Sequence, residues 1–383
     1  MLSTKIKSVS FLVTFLLNCF IELLIHNMVK LKRVLSGQKG IQKMTYERII
    51  DQYITTNDRF LQEFIAQTLH DYPNKKREWT RILLQEAVEN PEKASLLLYV
   101  KMDPEDEETS NMIEKGIGRV HDSIRHFFAQ LLLDFTPDTI LRNQHLLTDF
   151  IQEQDWDLYR VLVEGSEDEV WREYINILTR LESESSFDMN TYLLAKKVAS
   201  TLVKREYISK DQVLMMFEAN RNEEWFQYDG YLAVYMMGLM EMKEATVQLA
   251  SLLTRDDDML LEEVSEALIT FQTDEVVEAV KVYLSDEEVN IFVTSIIENI
   301  KSEHAVNELR KAYHQVEENL QGTIFEALVH QLSPLAEPEI RDYLNKVESS
   351  SFIDIDLLAY SYFKILGIDH PKLEMWEDAL HMR

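Results

Sequence analysis

Apolar residues recur along residues 231–344 with a period of about thirty positions. The equivalent positions are occupied by Leu249, Val280, Leu309 and Ile340, and a second apolar residue follows four positions behind each of them: Leu253, Leu284, Tyr313 and Leu344. Each unit has the pattern of a helix, a short polar break and a second helix. A fixed period of this length is typical of repeat proteins. The pattern therefore predicts an all-α fold, an α-solenoid of antiparallel helix pairs.

The pattern extends in weaker form at both ends of this region. The last unit, 357–376, is followed by Glu377 where other units have Leu or Tyr, and a polar outer face is expected of a capping repeat. Fainter copies lie near 94–140, where helix-breaking Pro104 and Pro137 are 33 positions apart. The polar, acidic stretch 181–187 predicts a linker. We therefore divide the helical region into diverged repeats over 44–182 and clearer repeats over 187–383.

Three stretches carry a resemblance to a known repeat family: 236–253 (MMGLMEMKEATVQLASLL), 267–284 (ALITFQTDEVVEAVKVYL) and 366–376 (LGIDHPKLEMW). They resemble HEAT repeats of the short bacterial class named after phycobilisome lyases. That family has an Ala/Leu-rich helix, a short turn, and a helix with Val and Leu at fixed places. This sequence lacks most of the turn glycines. The resemblance implies a HEAT-like, right-handed superhelix and specifies architecture much more than function.

Residues 1–43 form an apolar and basic extension with two possible interpretations. The apolar segment 9–25 is interrupted by Glu22 and followed by basic residues. As a membrane anchor it would leave the rest of the chain in the cytoplasm, because positive charge follows it. Alternatively, translation starts at Met44, since the codons of Lys39-Gly40 resemble a bacterial ribosome-binding site. The single cysteine, Cys19, fits a reducing compartment.

The charge balance narrows the class of partner. The chain has a net charge of −28, and residues 44–383 alone carry 66 acidic and 32 basic side chains. Such acidity repels a phosphate backbone, whereas nucleic-acid binding needs a basic face. We therefore expect no nucleic acid as a partner. A protein or peptide partner is expected to be basic.

Known catalytic and metal-binding patterns are missing from the sequence. It contains no GxxxxGK, HExxH or GxSxG motif. None of the ten histidines is followed by Glu, which excludes the di-iron site of deoxyhypusine hydroxylase, an enzyme built on HEAT repeats. The acidic runs 104–108 and 255–258 lack the spacing of an EF-hand loop. We therefore predict no catalytic residue, no metal ligand and no cofactor.

An unusual set of aromatic and Met residues lies at 215–242. It is interpreted either as core packing between the two halves or as a groove for a partner. The predicted anchors of that groove are Trp225, Phe226, Tyr228, Tyr231 and Tyr235.

The function favoured on this basis is a non-catalytic protein–protein interaction scaffold or adaptor. One alternative is a peptide-responsive regulator with tetratricopeptide-type repeats, although the period is shorter than the 34 residues of that class. Another is a lyase-type enzyme on the HEAT scaffold.

Overall fold

A computed structural model describes residues 45–183, 187–223 and 226–382, and these are helical or irregular without a strand. The predicted extension 1–43 lies outside the described residues. The chain divides after Ile49, and the unit Ile50–Arg383 contains the elements that position the site. Short 3₁₀ turns connect several helices, the longest at Pro91–Tyr99. The α-helices are α1 Tyr46–Tyr53, α2 Arg59–Leu69, α3 Arg77–Glu89, α4 Glu107–Ile117, α5 Asp122–Leu131, α6 Pro137–Arg142, α7 Gln144–Leu147, α8 Trp156–Glu164, α9 Glu167–Ser183, α10 Met189–Lys204, α11 Lys210–Arg221, α12 Tyr228–Leu239, α13 Thr246–Ala250, α14 Asp258–Phe271, α15 Asp274–Val280, α16 Asn290–Asn299, α17 Glu303–Tyr313, α18 Gln321–His330, α19 Glu337–Lys346, α20 Ile355–Leu366 and α21 Leu373–His381.

The periodic apolar residues form the core of the helix pairs. Leu249, Val280, Leu309 and Ile340 have no exposed surface, and the residues that follow four positions behind them are also buried. These side chains leave water on folding, and burial of apolar surface is the main favourable contribution to stability. The helical prediction is thus confirmed for the described residues.

Aspartate side chains begin many of the helices. The carboxylates of Asp58, Asp106, Asp188, Asp257 and Asp354 accept hydrogen bonds from backbone N–H groups in the first turns of α2, α4, α10, α14 and α20. An N-cap carboxylate satisfies N–H groups that have no partner within the helix, and it interacts favourably with the helix dipole. Part of the acidic excess therefore defines where helices begin.

Several residues that follow helices have a left-handed backbone conformation, and all but one of those described are not glycine. Glu206, Glu241, Gln272 and Leu332 have φ values of 57°, 46°, 52° and 48°, in the left-handed region, as does Gly367 at 65°. They follow α10, α12, α14, α18 and α20, so they recur at about one or two repeat lengths. Gln272 compensates with hydrogen bonds from its Nε2 to the carbonyl oxygens of Ile269 (2.7 Å) and Asn299 (2.9 Å).

Hydrogen bonds between successive helix pairs join residues that lie from 25 to 35 positions apart. We call these contacts the repeat junctions. In the C-terminal half four of them join residues 28 or 29 positions apart: Ser302 to Asp274, Arg310 to Glu339, Tyr313 to Asp342, and Tyr362 to the carbonyl of Ser333. Others in this half have separations as short as 26 and as long as 34 positions. In the N-terminal half three of them have separations of 25 to 28: Trp79 to Asp51, Arg77 to Asp103, and Arg81 to Asp106. Some of these bonds in the two halves thus have similar sequence separations.

Helix α2, near the start of the unit Ile50–Arg383, is in direct contact with α20, near its end. α10, α12, α14, α16, α18 and α20 pack in succession, and α20 also packs on α2. The Tyr360 hydroxyl donates to Asp58 Oδ2 at 2.6 Å, and the Tyr53 hydroxyl donates to the Ile365 carbonyl at 3.2 Å. These bonds join residues about 300 positions apart, which a repeat period alone does not predict.

The predicted linker 181–187 is in part helical, because α9 continues through Ser183. Residues 184–186 lie outside the described residues. α9 and α10 pack on each other, and side chains connect the two segments. Lys197 Nζ donates to the Phe135 carbonyl at 2.8 Å, and Lys204 Nζ lies 2.7 Å from Glu105 Oε1. Among the described helices, none has the length and apolar character that crossing a membrane requires.

Candidate functional site

Three of the predicted anchors lie along one face of α12. Tyr228, Tyr231 and Tyr235 are spaced i, i+3 and i+7, which brings side chains to the same side of a helix. All three are partly exposed. We call them the aromatic stripe. The helix is apolar on its other sides, where Leu232, Val234 and Met236 are fully buried. The stripe is therefore the face of α12 that remains open.

An exposed apolar patch adjoins the N-terminal end of the stripe. Phe187 is 45% exposed and stacks on Tyr228, with ring centroids 6.4 Å apart and ring planes 14° apart. Met189 and Leu193, in the first two turns of α10, are also exposed. We call Phe187, Met189 and Leu193 the apolar patch. Aromatic and Met side chains of this kind provide adaptable contact area for a partner.

The other two predicted anchors differ from the stripe. Phe226 is buried and packs on Tyr231 at a centroid distance of 5.5 Å. Its ring lies so close to Gly230 that a Cβ there would approach it to 2.6 Å, which explains the glycine at this position. Trp225 lies outside the described residues. Phe226 therefore supports the stripe from behind, whereas Tyr228, Tyr231 and Tyr235 present surface.

A cavity of about 420 Å³ lies at the C-terminal end of the stripe. Its walls come from residues 70–75, residues 101–104, α12 and α14. Apolar wall is supplied by Tyr235, Leu239 and Ile269, among others, and charged wall by Lys75, Lys101, Glu263 and Glu266. The volume is within the range of small-molecule sites, about 300–1,000 Å³. Tyr235 belongs to both features, so the stripe leads directly to the cavity.

Opposite charges alternate across this cavity. Lys101 Nζ lies 2.8 Å from Glu266 Oε1 and 3.7 Å from Asp71 Oδ1. Lys196 Nζ lies 3.3 Å from Glu266 Oε2 and 2.7 Å from Glu263 Oε1. Glu266 is thus shared by two lysines from different parts of the chain. Lys196 Nζ also lies 4.5 Å from the centre of the Tyr235 ring, in cation–π contact.

The environment shifts the pKa values of these groups. Burial alone would raise the pKa of Glu266, but the charges of Lys196 and Lys101 outweigh it and hold that pKa below its ordinary value. Burial raises the pKa of Glu263, although Lys196 opposes the shift. Burial, assisted by repulsion from Lys101, lowers the pKa of Lys75 to about 8. Perturbed groups of this kind in a cavity indicate a candidate functional site.

The alternating row runs from Glu263 at one end to Lys75 at the other. The Glu263 side chain is only 6% exposed and also lies beside the Tyr192 hydroxyl. A hydrogen bond with that hydroxyl opposes the rise in the pKa of Glu263 that burial causes. At the other end, Lys75 Nζ donates to the His70 carbonyl at 3.3 Å. Within the residues that the structure describes, no carboxylate lies within ion-pair distance of Lys75.

A separate cluster of Glu278, His304 and Glu308 has ligand atoms within 4.8 Å of one another. Lys281 Nζ lies 2.8 Å from Glu278 Oε1 and 3.4 Å from Glu308 Oε2. His304 Nε2 lies 2.7 Å from the same Glu278 oxygen. The lysine ammonium already supplies positive charge among these carboxylates. The cluster is therefore explained as an ion-pair group, and we assign no metal to it.

No known family model and no curated protein matches this chain. The site must therefore be judged on its own geometry. Sequence analysis identified the stripe residues but missed Lys101, Glu263 and Glu266, whose charges resemble those of solvated helix faces. One signal was available for Glu263: it falls among Leu260, Val264 and Ala267, on the apolar side of α14.

Proposed function

We propose that this chain is a non-catalytic interaction protein, a HEAT-like solenoid that binds a basic segment of a partner protein. The segment would lie along the aromatic stripe and the apolar patch. The observation that carries this proposal is the exposed Phe187 ring stacked on Tyr228, at the start of a stripe that ends in a cavity. Exposed aromatic residues in a cluster are typical anchors of protein interfaces.

Charge supports a basic partner. The chain carries a net charge of −28, and the carboxylates of Asp188, Asp229 and Asp257 lie in or beside the elements that bear the stripe and the patch. Asp257 accepts a hydrogen bond from the Tyr231 hydroxyl at 2.6 Å, which places one carboxylate directly against the stripe. An acidic surface attracts a basic segment and speeds encounter more than it sets affinity.

The spacing of the repeat junctions and the recurring left-handed residues support the HEAT-like solenoid. In such arrays each unit contacts its neighbours, so equivalent bonds recur at the repeat length. Separations of 25 to 29 positions in five of these bonds, from both halves of the chain, agree with this expectation. The resemblance at 236–253, 267–284 and 366–376 is consistent with it.

A peptide-responsive regulator is the second candidate, and the cavity favours it. The cavity walls come from residues 70–104 and from residues 235–270, which are far apart in sequence. A ligand bound between them would contact both segments and change how they pack. The described residues offer no observation that favours a lyase-type enzyme.

The test is affinity purification of the full chain from its native cell, followed by binding measurements with the purified partner. We expect a basic partner whose affinity falls at least tenfold on Phe187→Ala or Tyr228→Ala, because truncation of a buried interface anchor has an effect of this size. The matched control is Phe352→Ala, which removes a 96% exposed ring elsewhere and should not change affinity. Equal affinity of all variants would refute the proposed binding surface.

A further inference from the structure

A short segment, residues 101–105, contacts the two helices that lie on either side of α12. Its first residue, Lys101, has its Nζ 2.8 Å from Glu266 Oε1 on α14. Its last residue, Glu105, has its Oε1 2.7 Å from Lys204 Nζ at the end of α10. The segment contains neither helix nor strand, and α12 packs on both α10 and α14. It therefore crosses α12, and we call it the strap.

The strap forms part of the cavity wall at the end of the aromatic stripe. Met102, Asp103 and Pro104 line the cavity from the strap, and Tyr235 and Leu239 line it from α12. Tyr235 is also the last residue of the stripe. A partner segment that continued along α12 past Tyr235 would therefore meet the strap.

The contacts of the strap differ in strength on its two sides. On the side of the N-terminal half, Met102 is buried, Arg77 Nε lies 2.7 Å from Asp103 Oδ2, and the next residue, Asp106, is buried and paired with Arg81. On the side of α10 and α14, all four side chains of the two ion pairs are between 46% and 59% exposed. Exposed ion pairs contribute little stability, and salt screens them. The strap is therefore fixed to the N-terminal half and only weakly attached to α10 and α14.

Lys101 has the chemistry expected of the proposed basic partner. Its ammonium group lies between the carboxylates of Glu266, at 2.8 Å, and Asp71, at 3.7 Å. It thus places a positive charge beside the end of the stripe, on a chain whose net charge is −28. A residue tethered within the chain has a high effective concentration at such a position. A basic residue of a partner would have to compete with Lys101 for Glu266.

We propose that the strap is an autoinhibitory contact, which closes the end of the aromatic stripe until a basic segment of the partner takes Glu266 from Lys101. The inference rests on the proposed function for the identity of the competing segment. Opening requires only that the two exposed ion pairs separate. It is a local event, because α12 and α14 remain packed on each other.

The first experiment measures opening of the strap without a partner. Ile269 lines the cavity and is 6% exposed, so a thiol at this position reports access to the cavity. Ile269→Cys is made in the full chain together with Cys19→Ser, which removes the only natural cysteine, and is labelled with the neutral reagent N-ethylmaleimide. At low salt we expect Lys101→Met or Glu105→Gln to accelerate labelling by about threefold to fivefold, the range for loss of one exposed ion pair. Raising sodium chloride from about 20 mM to about 500 mM should also accelerate it, because salt screens both pairs.

Matched variants distinguish strap opening from other effects of charge. Lys210→Met and Glu262→Gln remove exposed charges away from the strap and should leave labelling unchanged. Val293→Cys places a thiol at a fully buried position outside the cavity, so it reports global unfolding and should not respond. If neither Lys101→Met nor Glu105→Gln accelerates labelling, the proposal is overturned. Should one of these two variants fail to fold, the other still tests the strap from its opposite end.

The second experiment tests displacement by a basic chain, with hexalysine as the probe. Hexalysine should accelerate labelling of the Ile269→Cys thiol at least about threefold more than sodium chloride of the same ionic strength, and hexaglutamate should not. Most of this acceleration should be lost in Lys101→Met, because the strap is then already released. A hexalysine effect no larger than that of salt would contradict competition for Glu266 and overturn the proposal.

Binding of the purified partner separates this inference from the proposed function. Lys101→Met should raise partner affinity by about threefold to fivefold, since one competing ion pair is removed. Phe187→Ala should lower partner affinity but leave thiol labelling unchanged, because Phe187 does not line the cavity. Labelling that responds as expected in a chain that captures no partner would refute the proposed function and retain the strap. A partner that binds Lys101→Met no more tightly than the unmodified chain would overturn the autoinhibitory role.

Discussion

The repeat junctions and the cavity are built from the same residue types and use them differently. At a junction, Arg310 Nε lies 2.8 Å from Glu339 Oε2, and the Glu339 carboxylate is only 5% exposed. In the cavity, Lys101 and Glu266 are each about half exposed and belong to segments 165 positions apart. The junction carboxylate is buried and matched locally, whereas the cavity charges are shared among several partners and lie closer to water. Junction pairs thus join successive helix pairs, and the cavity charges line an open space.

The largest expected change in the free energy of unfolding is at a repeat junction. Arg310→Met should lower the free energy of unfolding by about 2–3 kcal/mol, because it leaves the buried Glu339 carboxylate without its partner. His314, at 3.4 Å from Glu339, compensates only in part. Urea unfolding followed by circular dichroism measures the change.

The double variant Arg310→Met with Glu339→Met is the control for this prediction. Replacing both partners removes the unpaired charge, so much of the lost stability should return. If the double variant is as unstable as the single one, the cost comes from lost packing and not from the buried charge.

Removal of one partner of an ion pair in the cavity should change the free energy of unfolding by less. Lys101→Met should change the free energy of unfolding by less than about 1 kcal/mol, because the pair with Glu266 is exposed and Glu266 keeps Lys196. The same urea titration checks this, beside Arg310→Met. A loss equal to that of Arg310→Met would show that the cavity charges are needed for folding as much as the junctions are.

The half-buried Lys197, which donates to the Phe135 carbonyl, should make the stability of the chain depend on pH. Burial lowers the pKa of Lys197 to about 8, against 10.5 in an unfolded chain. Between these values the unfolded state binds more protons, so the contribution of Lys197 to stability rises with pH. The stability of the unmodified chain relative to Lys197→Met should therefore increase from pH 7.5 to pH 9.5, as measured by urea unfolding at both values. A constant difference would contradict the lowered pKa.

The smallest change in stability is expected at the end of a helix. Glu206→Gly should stabilise the chain by at most about 1 kcal/mol, since Glu206 has a φ of 57° and only glycine adopts this conformation without strain. The greater freedom of glycine in the unfolded chain offsets part of the gain. Glu206→Ala keeps the strain and serves as the comparison in thermal unfolding. A destabilised glycine variant would show that the Glu206 side chain matters more than its backbone.

The helical fold could largely be predicted from the sequence. Spacing of Leu249, Val280, Leu309 and Ile340 correctly identified buried positions, because apolar periodicity reports which side of a helix meets its neighbour. The contact of Tyr360 with Asp58 could not be predicted from the sequence. Periodicity describes contacts between adjacent units, and it contains no information about which distant units also meet.

The candidate site could be predicted from the sequence only in part. The i, i+3, i+7 spacing of the stripe is a helical property, so Tyr228, Tyr231 and Tyr235 could be grouped from sequence. The cavity needs side chains from residues 70–75, residues 101–104, α12 and α14 together. The sequence does not indicate which charged residues on separate helices form pairs, because any of them could equally face water.

The bond between Tyr360 and Asp58 also has a consequence for synthesis of the chain. Asp58 leaves the ribosome about 300 residues before its partner does. At about 5–20 residues per second, this is an interval on the order of 15–60 seconds. During that time α2 has no α20 to cover it, and its buried residues Phe64 and Ile65 depend on other contacts for protection. The closing contact is made last, when nearly the whole chain has emerged.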